Sequence, residues 1–463
     1  MAKLHYVFAV LFFLSIFSGF PVSSRTLEQI PKTTVLDVSA LFKKSTEILS
    51  FNPNTFQIQD QENLQQQSNS SLTVKLYSRD TLGLTPFKNY RDLTLARLKR
   101  DAARVNFISK KLNLGNEGKE ARFNPMTVET PLISGIAEYY AKFGIGTPAK
   151  QFYVAIDTGS DITWIQCSPC TSCYKQIDPI FDPTKSSSYK PLTCNAQQCK
   201  DLHASKCSAS KCNYQVRYAD GSATVGDFAT ETFTFGGSIS KDVAMGCGHD
   251  NRGLFVAAAG LLGLGKGSLS FPSQIKQKSF SYCLVDRDSG SASTLSFGSS
   301  IDSDAVTTSL LGNTKTLYAV SLTGISVGGT LFSISVNGNP GGPVIVDSGT
   351  SITRLPSNIY TAVRDEFVKG VSLPSAGAFS LFDTCFTVHS GDTISVPTVA
   401  FHFGAKVLML PAKNYLRPVN QNTICFAFAT SPSIAIIGNF QQQGFRVSFD
   451  LTKSVVGFSA DMC

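Results

Sequence analysis

A short acidic motif occurs twice in the chain, and it constrains the fold more than any other feature. Residues 154–160 read VAIDTGS and residues 344–350 read VIVDSGT, so each Asp follows three apolar, mostly β-branched residues. Such residues favour a buried strand, and the Gly two places after each Asp lets the backbone turn sharply. An apolar stretch that leads to a Gly follows each copy, at residues 260–265 and 435–439. This shared order predicts a duplicated lobe with one aspartate at a strand-to-turn junction in each half.

The composition agrees with a chain built mainly from strands. Of the 463 residues, 42% are hydrophobic, only 16% are charged and 36 are Gly. These values, together with the short apolar runs, are typical of a globular protein rich in sheet. A chain of this length has room for two or three domains and a sizeable core. We therefore predict an all-β fold.

The two motifs and the apolar stretches that follow them resemble those of the pepsin-like aspartic proteases. In detail they are similar to the plant nepenthesin-type branch, and to the group of aspartic proteases in guard cells in particular. The resemblance covers roughly residues 126–463. It implies a bilobal fold in which two related β-barrel-like lobes enclose an active-site cleft. The N-terminal lobe would be residues 126–305, with a cysteine-rich insertion, and the C-terminal lobe residues 306–463.

The resemblance also assigns roles to the residues of the motifs. Asp157 and Asp347 would form a catalytic dyad that shares one proton, because two close carboxylates cannot both ionise easily. The dyad would activate water for attack on a peptide bond at acidic pH, with no covalent intermediate and no cofactor or metal. The residues expected to support the dyad or cover the substrate are Thr158, Gly159, Ser160, Ser348, Gly349 and Thr350, with Tyr218 as the flap residue and Trp164 as its partner.

The region before the first motif predicts a signal peptide and a prosegment. Lys3 precedes an apolar run too short to span a bilayer comfortably, so we expect residues 1–24 to direct the chain into the secretory pathway and to be removed. Residues 25–125 hold 16 Lys/Arg against 10 Asp/Glu and supply most of the net charge of +8, which gives no argument for nucleic acid. Residues 91–112 predict an amphipathic helix with a basic outer face. A calmodulin-binding or membrane-surface helix would look alike, but we favour a prosegment helix over the cleft.

The twelve cysteines favour disulfides, because they are even in number and belong to a chain with a signal peptide. A thiolate metal site at residues 167–173 is the alternative, and it suits a secreted chain less well. Spacing leaves the pairing open. The nepenthesin-type resemblance implies the bonds Cys167–Cys170, Cys173–Cys247, Cys194–Cys212, Cys199–Cys207, Cys283–Cys463 and Cys385–Cys425.

These expectations predict a secreted aspartic endopeptidase made as a zymogen. Its partners would be polypeptide substrates, inhibitors of the pepstatin type and its own prosegment, and we expect a monomer without a stable membrane anchor. The extracellular space or apoplast is the expected location, with the ER and the vacuole as alternatives.

Three other functions fit parts of the sequence less well. Residues 260–266 approach a phosphate-binding loop, but Gly267 stands where that motif needs Ser or Thr. Residues 349–351 resemble part of a subtilisin-type serine protease, but neither His203 nor His249 has the expected context. Plant inhibitors of cell-wall glycosidases share the pepsin-like fold and generally lack an intact dyad. Both aspartates are present here, which favours an enzyme.

Overall fold

The computed structural model describes most of the chain. It covers residues 31–50, 72–82, 87–117, 138–202, 205–217, 222–253, 258–312, 314, 316–432, 434–460 and 463. The predicted signal peptide therefore lies outside the described residues. Strands dominate the described part, which confirms the predicted all-β class.

The N-terminal segment, defined here as the described residues from 31 to 117, contributes two strands and two long helices. Asp37 begins the first helix by accepting a hydrogen bond from the Ser39 backbone N–H at 2.9 Å. Asn89 begins the second in the same way, accepting from the Asp92 N–H at 2.9 Å. The elements are β1 (Thr33–Asp37), α1 (Val38–Ser50), β2 (Leu72–Ser78), a 3₁₀ helix (Arg79–Leu82) and α2 (Tyr90–Glu117).

The next part of the chain, up to about residue 300, is built from strands joined by short turns. Its elements are β3 (Tyr139–Ile145), β4 (Lys150–Asp157), β5 (Trp164–Gln166), a 3₁₀ helix (Pro183–Lys185), β6 (Lys190–Pro191), α3 (Gln197–Lys200), β7 (Ser205–Ser208), β8 (Lys211–Arg217), β9 (Ala223–Phe235), β10 (Ser238–Arg252), β11 (Gly260–Gly263), α4 (Phe271–Gln274), β12 (Ser279–Cys283) and β13 (Ser293–Phe297).

The last part of the chain repeats this plan. Its elements are β14 (Val306–Ser309), β15 (Ala319–Val320), β16 (Gly324–Val327), β17 (Thr330–Ser333), β18 (Ser335–Val336), β19 (Asn339–Pro340), β20 (Val344–Val346), β21 (Thr353–Pro356), α5 (Ser357–Lys369), β22 (Cys385–Thr387), β23 (Thr393–Pro397), β24 (Val399–Phe403), β25 (Lys406–Leu410), α6 (Ala412–Tyr415), β26 (Leu416–Asn420), β27 (Thr423–Phe426), β28 (Phe428–Ser431), β29 (Ala435–Ile437), α7 (Asn439–Gln442), β30 (Arg446–Asp450) and β31 (Val455–Ser459).

The duplication predicted from the two acidic motifs is visible in the strand pairing. In the first lobe β4 runs parallel to β11, with Val154 beside Gly260. In the second lobe β20 runs parallel to β29, with Val344 beside Ala435. Each aspartate motif is therefore held against the apolar, glycine-ended stretch that follows it in the sequence. The paired strands are buried on both faces, which explains their continuous apolar residues.

One large sheet joins the lobes. Its strand order is β14-β31-β30-β12-β13-β2-β3-β4-β11-β5-β10-β9-β8-β7, so strands from both halves and from the N-terminal segment belong to it. β2 lies between β13 and β3, with Leu76 paired to Ser293 on one side and to Ala141 on the other. The N-terminal segment is therefore part of the central sheet.

The disulfides in the cysteine-rich region differ from the predicted pairing, and four of the six predicted bonds are wrong. Cys167 bonds to Cys247 and Cys170 to Cys173. Cys167 directly follows β5, which runs parallel to β10, and this brings it within 5.3 Å (Cα–Cα) of Cys247. All four sulfurs are bonded in pairs, so none is a thiolate that could bind a metal.

The second correction concerns the hairpin formed by β7 and β8. Cys199 bonds to Cys212 and Cys194 to Cys207. Cys199 and Cys212 both face the core, whereas Cys207 is exposed, so burial separates an inner bond from an outer one. The remaining bonds, Cys283–Cys463 and Cys385–Cys425, have the pairing that the resemblance implies.

In the described part of the chain, none of the helices combines the length and apolar character needed to span a lipid bilayer.

The clasp, defined here as β1 and α1, holds the N-terminal segment on the second lobe. β1 pairs antiparallel with β23, with Leu36 beside Ile394. Among the described residues β23 has no other strand partner, so β1 satisfies the backbone of an otherwise open edge. Leu36 and Val38 are 7% and 0% exposed, whereas Val35 on the outer face of β1 is 66% exposed. Apolar burial and strand pairing therefore act together in the clasp.

We predict that Leu36→Asp opens the clasp and that Val35→Asp leaves it closed. Burying a Leu side chain stabilises by about 1.5–3 kcal/mol, and the new carboxylate would also be buried without a partner. Hydrogen exchange of the amides of residues 393–396 at neutral pH measures the effect. We expect strong loss of protection in Leu36→Asp alone, and equal protection in both variants would contradict this account.

Candidate active site

Asp157 and Asp347 lie at corresponding places in the two lobes. Asp157 is the last residue of β4, and Asp347 directly follows β20. Both side chains are 0% exposed. The two strands are fixed by parallel neighbours in the core of each lobe, so the carboxylates are carried on rigid elements.

Short hydrogen bonds orient each carboxylate. The Gly159 N–H donates to Asp157 Oδ1 at 2.8 Å, and the Ser160 hydroxyl donates to Asp157 Oδ2 at 2.5 Å. In the second lobe the Thr350 hydroxyl donates to Asp347 Oδ2 at 2.6 Å. Ser160 and Thr350, which the resemblance assigns as supports, therefore contact the aspartates in the same way in both halves.

A hydrogen bond also connects the two motif loops. The Ser348 N–H donates to Thr158 Oγ1 at 3.1 Å, and the two hydroxyls are 3.4 Å apart. The Thr158 hydroxyl also donates a hydrogen bond to Asp347 Oδ1, at 3.5 Å. These contacts fix one lobe relative to the other at the position of the carboxylates, and the backbone N–H of Gly349 also bonds to Asp347.

Arg104 of α2 lies between the two carboxylates. Its Nε and Nη2 donate to Asp347 Oδ2 and Oδ1 at 2.9 and 2.7 Å. Its Nη1 and Nη2 donate to Asp157 Oδ2 and Oδ1 at 3.1 and 2.5 Å. The Arg104 side chain is fully buried, as both carboxylates are. One planar guanidinium thus binds both aspartates, which a compact ammonium group could not do in the same geometry.

Arg104 was not among the predicted site residues. The predicted helix is confirmed, and its Leu98 and Ile108 are buried as the apolar pattern requires. The predicted basic outer face is wrong, however, because Arg97, Arg100 and Arg104 are buried. Their spacing of three and four places them on one face of the helix, and this spacing was the signal in the sequence.

Two further ion pairs hold the same face of α2 on the protein. Arg97 Nη1 donates to Asp288 at 2.7 Å. Arg100 forms two hydrogen bonds with Glu138, at 3.0 and 3.1 Å. Each carboxylate partner lies in the body that carries the two motifs. The helix is therefore fixed over the site by three buried arginines and not by apolar contacts alone.

The ion pairs shift the pKa values of the groups they join. Burial alone would raise the pKa of Asp347, but the charge and hydrogen bonds of Arg104 outweigh it and hold this pKa below its usual value. For Arg104 burial acts in the opposite direction, and the two aspartates outweigh it and raise its pKa. The guanidinium is therefore charged, and the bound state favours an ionised Asp347.

Of the two residues predicted to cover the substrate, the structure describes Trp164 but not Tyr218. Trp164 lies on β5 in a buried cluster of the first lobe and meets the Tyr174 ring edge-on at 6.5 Å. Tyr218 falls outside the described residues, so its predicted flap position stays a prediction.

The serine-protease alternative receives no support from the described side chains. Ser351 Oγ accepts a hydrogen bond from Arg287 Nη1 at 3.0 Å. His249 Nδ1 contacts the Pro169 carbonyl oxygen at 2.9 Å, and its Nε2 is 3.4 Å from Asp227. His249 is thus bound to other groups, and His203 lies outside the described residues.

Two family models match the chain. The model described as "Xylanase inhibitor N-terminal" matches residues 139–299, and the model described as "Xylanase inhibitor C-terminal" matches residues 317–460.

Several plant proteins are similar to this chain in sequence. Aspartyl protease family protein 2 of Arabidopsis thaliana is 48% identical over 85% of this chain and 86% of its own length. The protein ASPARTIC PROTEASE IN GUARD CELL 2 of the same plant is 40% identical over 86% of this chain and 89% of its own length. Aspartic proteinase nepenthesin-1 of Nepenthes gracilis is 40% identical over 74% of this chain and 82% of its own length.

Solved structures agree in fold. The crystal structure of edgp covers 85% of this chain and 96% of its own, with a TM-score of 0.60 and 18% identity. That of conglutin gamma, a basic 7S globulin from lupine seeds, covers 85% and 95%, with a TM-score of 0.59 and 17% identity. At these identities the likeness shows the fold alone, and it confirms the predicted bilobal architecture.

We predict that Gly159→Ala disturbs the contact between Arg104 and the aspartates. A Cβ at position 159 would lie 2.3 Å from Arg104 Nη2, too close for the guanidinium to stay in place. Overpacking of this kind costs about 1–3 kcal/mol. Thermal unfolding at neutral pH should show this loss, whereas Gly312→Ala, whose Cβ would meet nothing within 4 Å, should change little.

A double-mutant cycle identifies the cause of the Gly159→Ala effect. In an Arg104→Ala background the 2.3 Å clash is removed and Ile108 Cδ1, at 3.1 Å, is the close neighbour that remains, so the cost of Gly159→Ala should fall. An unchanged cost would show that the turn, and not Arg104, requires the glycine.

Proposed function

The chain belongs to the pepsin-like aspartic proteases, in their plant nepenthesin-type branch, and we propose that it is an aspartic endopeptidase made as an inactive precursor. One observation supports this most strongly. Two buried carboxylates at matching strand ends of a duplicated lobe are held together by one arginine of a preceding segment. A pair of carboxylates covered by an arginine of the same chain suits a protease that is made in an inhibited form.

In the precursor Arg104 prevents catalysis in two ways. Its guanidinium fills the space between Asp157 and Asp347, where the reacting carbonyl and the water molecule would have to lie. Its charge also holds the pKa of Asp347 below its usual value, so Asp347 stays ionised and cannot donate a proton to the substrate. We assign residues 25–125 as the prosegment, with the maturation cut between residues 115 and 129.

Removal of the prosegment changes the chemistry of the dyad. Without Arg104 the two carboxylates repel each other, so they retain one proton between them in mildly acidic solution. The ionised carboxylate takes a proton from water as the water oxygen bonds to the peptide carbonyl carbon, and the protonated one donates to the carbonyl oxygen. The resulting diol collapses with proton transfer to the nitrogen, and the C–N bond breaks.

The hydroxyls around the dyad keep both carboxylates in the productive orientation during these steps. Ser160 and Thr350 bond one oxygen of each aspartate, and Thr158 and Ser348 join the loops. In our proposal Tyr218 closes over an extended peptide, with Trp164 as its hydrogen-bond partner. Large apolar residues would flank the scissile bond, because most pockets of such a cleft are apolar.

The disulfides support a location in the secretory pathway. All twelve cysteines are paired, which fits an oxidising compartment. We propose the extracellular space or apoplast as the destination, a monomeric state, and inhibition by pepstatin-type compounds.

A second candidate is binding and inhibition of a cell-wall glycosidase, because the matching family models are described by xylanase inhibition. An inhibitor needs no catalytic dyad. The intact carboxylates and the arginine that covers them are more consistent with a protease.

We predict that the acid-treated protein cleaves a denatured protein substrate at about pH 3–5 and that pepstatin stops the cleavage. Asp157→Asn and Asp347→Asn should each lower the rate by at least about a thousandfold, since each removes one member of the dyad. Asp304→Asn, at an exposed position, is the matched control and should cleave normally. Full activity of either dyad variant, or none in the wild type, would exclude the proposed function.

We predict that the prosegment loosens as the pH falls. Arg104 and Arg100 outweigh the effect of burial and lower the pKa values of Asp347 and Glu138 from 3.8 and 4.5. Ion pairing therefore stabilises the precursor fully above those usual values and is lost as the pH falls below them. Self-processing followed on gels should begin below about pH 4.5.

Variants of α2 test this assignment. Arg104→Gln should move the onset of processing upward by about one pH unit, because a buried pair that loses one member is strongly destabilised. Lys99→Gln, on the exposed face of the same helix, should process like the wild type. An unchanged onset in Arg104→Gln would show that Arg104 does not control the release.

A further inference from the structure

A second charged contact of α2 lies beside the dyad. Asp101, three residues before Arg104, is 1% exposed. Its Oδ1 accepts hydrogen bonds from the backbone N–H groups of Ser351 and Ile352, at 2.6 and 3.0 Å. Its Oδ2 is paired with Arg354. The anion pocket, defined as the Ser351 and Ile352 N–H groups with the Arg354 guanidinium, begins four residues after Asp347.

The anion pocket belongs to the second lobe and does not depend on Asp101 for its shape. Arg354 lies on β21, where it pairs with Ile436 of β29. The Ser351 carbonyl accepts from the Phe440 N–H at 3.0 Å, and the Thr353 hydroxyl donates to Gln441 at 2.6 Å. These contacts lie within the lobe, so the donors stay in place when α2 leaves.

The pocket loses its carboxylate when the prosegment is removed. Among the described residues, Asp101 supplies the carboxylate paired with Arg354, and the buried Arg354 Nε has no hydrogen-bond partner there. The neighbouring Arg287, which donates to Ser351 Oγ, differs because it is also paired with Glu138 at 2.8 Å. Arg354 is therefore the guanidinium left to bind a new anion.

We propose that the anion pocket is a substrate subsite that selects an Asp or Glu side chain near the scissile bond. This inference rests on the proposed proteolytic function. Two backbone N–H groups and a guanidinium that converge on one point form a typical recognition site for a carboxylate. In the precursor Asp101 occupies the subsite while Arg104 occupies the dyad, so α2 fills both positions at once.

The helix geometry gives the place of this subsite along the substrate. Side chains three apart on a helix have Cβ atoms about 5–6 Å apart. An extended peptide advances about 3.3 Å per residue. The selected acidic residue therefore lies about two residues from the residue that faces the dyad.

The test compares fluorogenic peptides that differ only in having Asp, Asn or Ala at each of three positions on either side of a constant apolar scissile pair. The enzyme is the full-length protein after acid processing, assayed at pH 5 and pH 3. At pH 5 we expect Asp to exceed Asn in kcat/KM by about tenfold to a hundredfold at one position. At pH 3 the preference should largely disappear, because the substrate carboxyl becomes protonated.

Variants connect the preference to Arg354. Arg354→Gln should make Asp and Asn equal, and Arg354→Lys should keep part of the difference. Arg364→Gln is the matched control, because Arg364 is paired with Asp365 and Asp383 on the surface and should leave the preference unchanged. Equal rates for Asp and Asn at every position in the wild type, or a preference that survives in Arg354→Gln, would overturn the proposal.

A binding assay separates this inference from the proposed function. The same peptides with a reduced, uncleavable scissile bond are labelled, and their affinity for the acid-processed protein is measured by fluorescence anisotropy. Tighter binding of the Asp peptide than of the Asn peptide would support the subsite even in a protein that cleaves nothing. Equal binding in an active enzyme would overturn the subsite and leave the protease intact.

Discussion

The structure depends on the cost of placing two carboxylates side by side in a dry interior. Asp157 and Asp347 are both fully buried, and hydrogen bonds from surrounding hydroxyl and N–H groups hold them in place. Two ionised groups at such a site repel each other strongly, so a cation or a shared proton must compensate. Arg104 is that cation in the structure. In the mature enzyme that we propose, Arg104 is withdrawn, and the same two strands hold a pair that retains one proton, as acid-base hydrolysis needs.

The N-terminal segment secures Arg104 by attaching at three separate places. β1 pairs with β23 at the edge of the second lobe, β2 is a strand of the central sheet, and α2 lies over the dyad. The first two attachments are made by strand pairing and apolar side chains, which acid affects little. The third consists largely of ion pairs, so acid weakens it first. Such a division would let the dyad open before the segment as a whole departs.

The sequence predicted the fold well because its signal is local and repeated. The β-branched residues before each aspartate, with Gly after it, specify a buried strand and a turn wherever they occur. Arg104 could not be found by the same reasoning, since hydrophobic periodicity treats arginine as an outward residue, and only its carboxylate partners, distant in the sequence, bury it. The cysteine pairing was mistaken for a related reason. Cys199 and Cys207 are close in the sequence, which made a bond between them plausible. The fold instead turns Cys199 toward the core, where it bonds to Cys212.

Arg104 covers the two aspartates through ion pairs, and this has a consequence that an apolar cover would lack. Apolar contacts do not change between pH 7 and pH 4, so an apolar cover would stay bound at the acidic pH where we propose that the enzyme works. The aspartates raise the pKa of Arg104, so the arginine keeps its charge, and Asp347, whose pKa Arg104 holds below its usual value, is the partner that responds to acid. The oppositely charged Asp101, one turn away, makes α2 complementary to both the dyad and the basic pocket at Arg354. Asp101 and Arg104 lie on one helix, so in our proposal the departure of α2 clears the dyad and the adjoining pocket together.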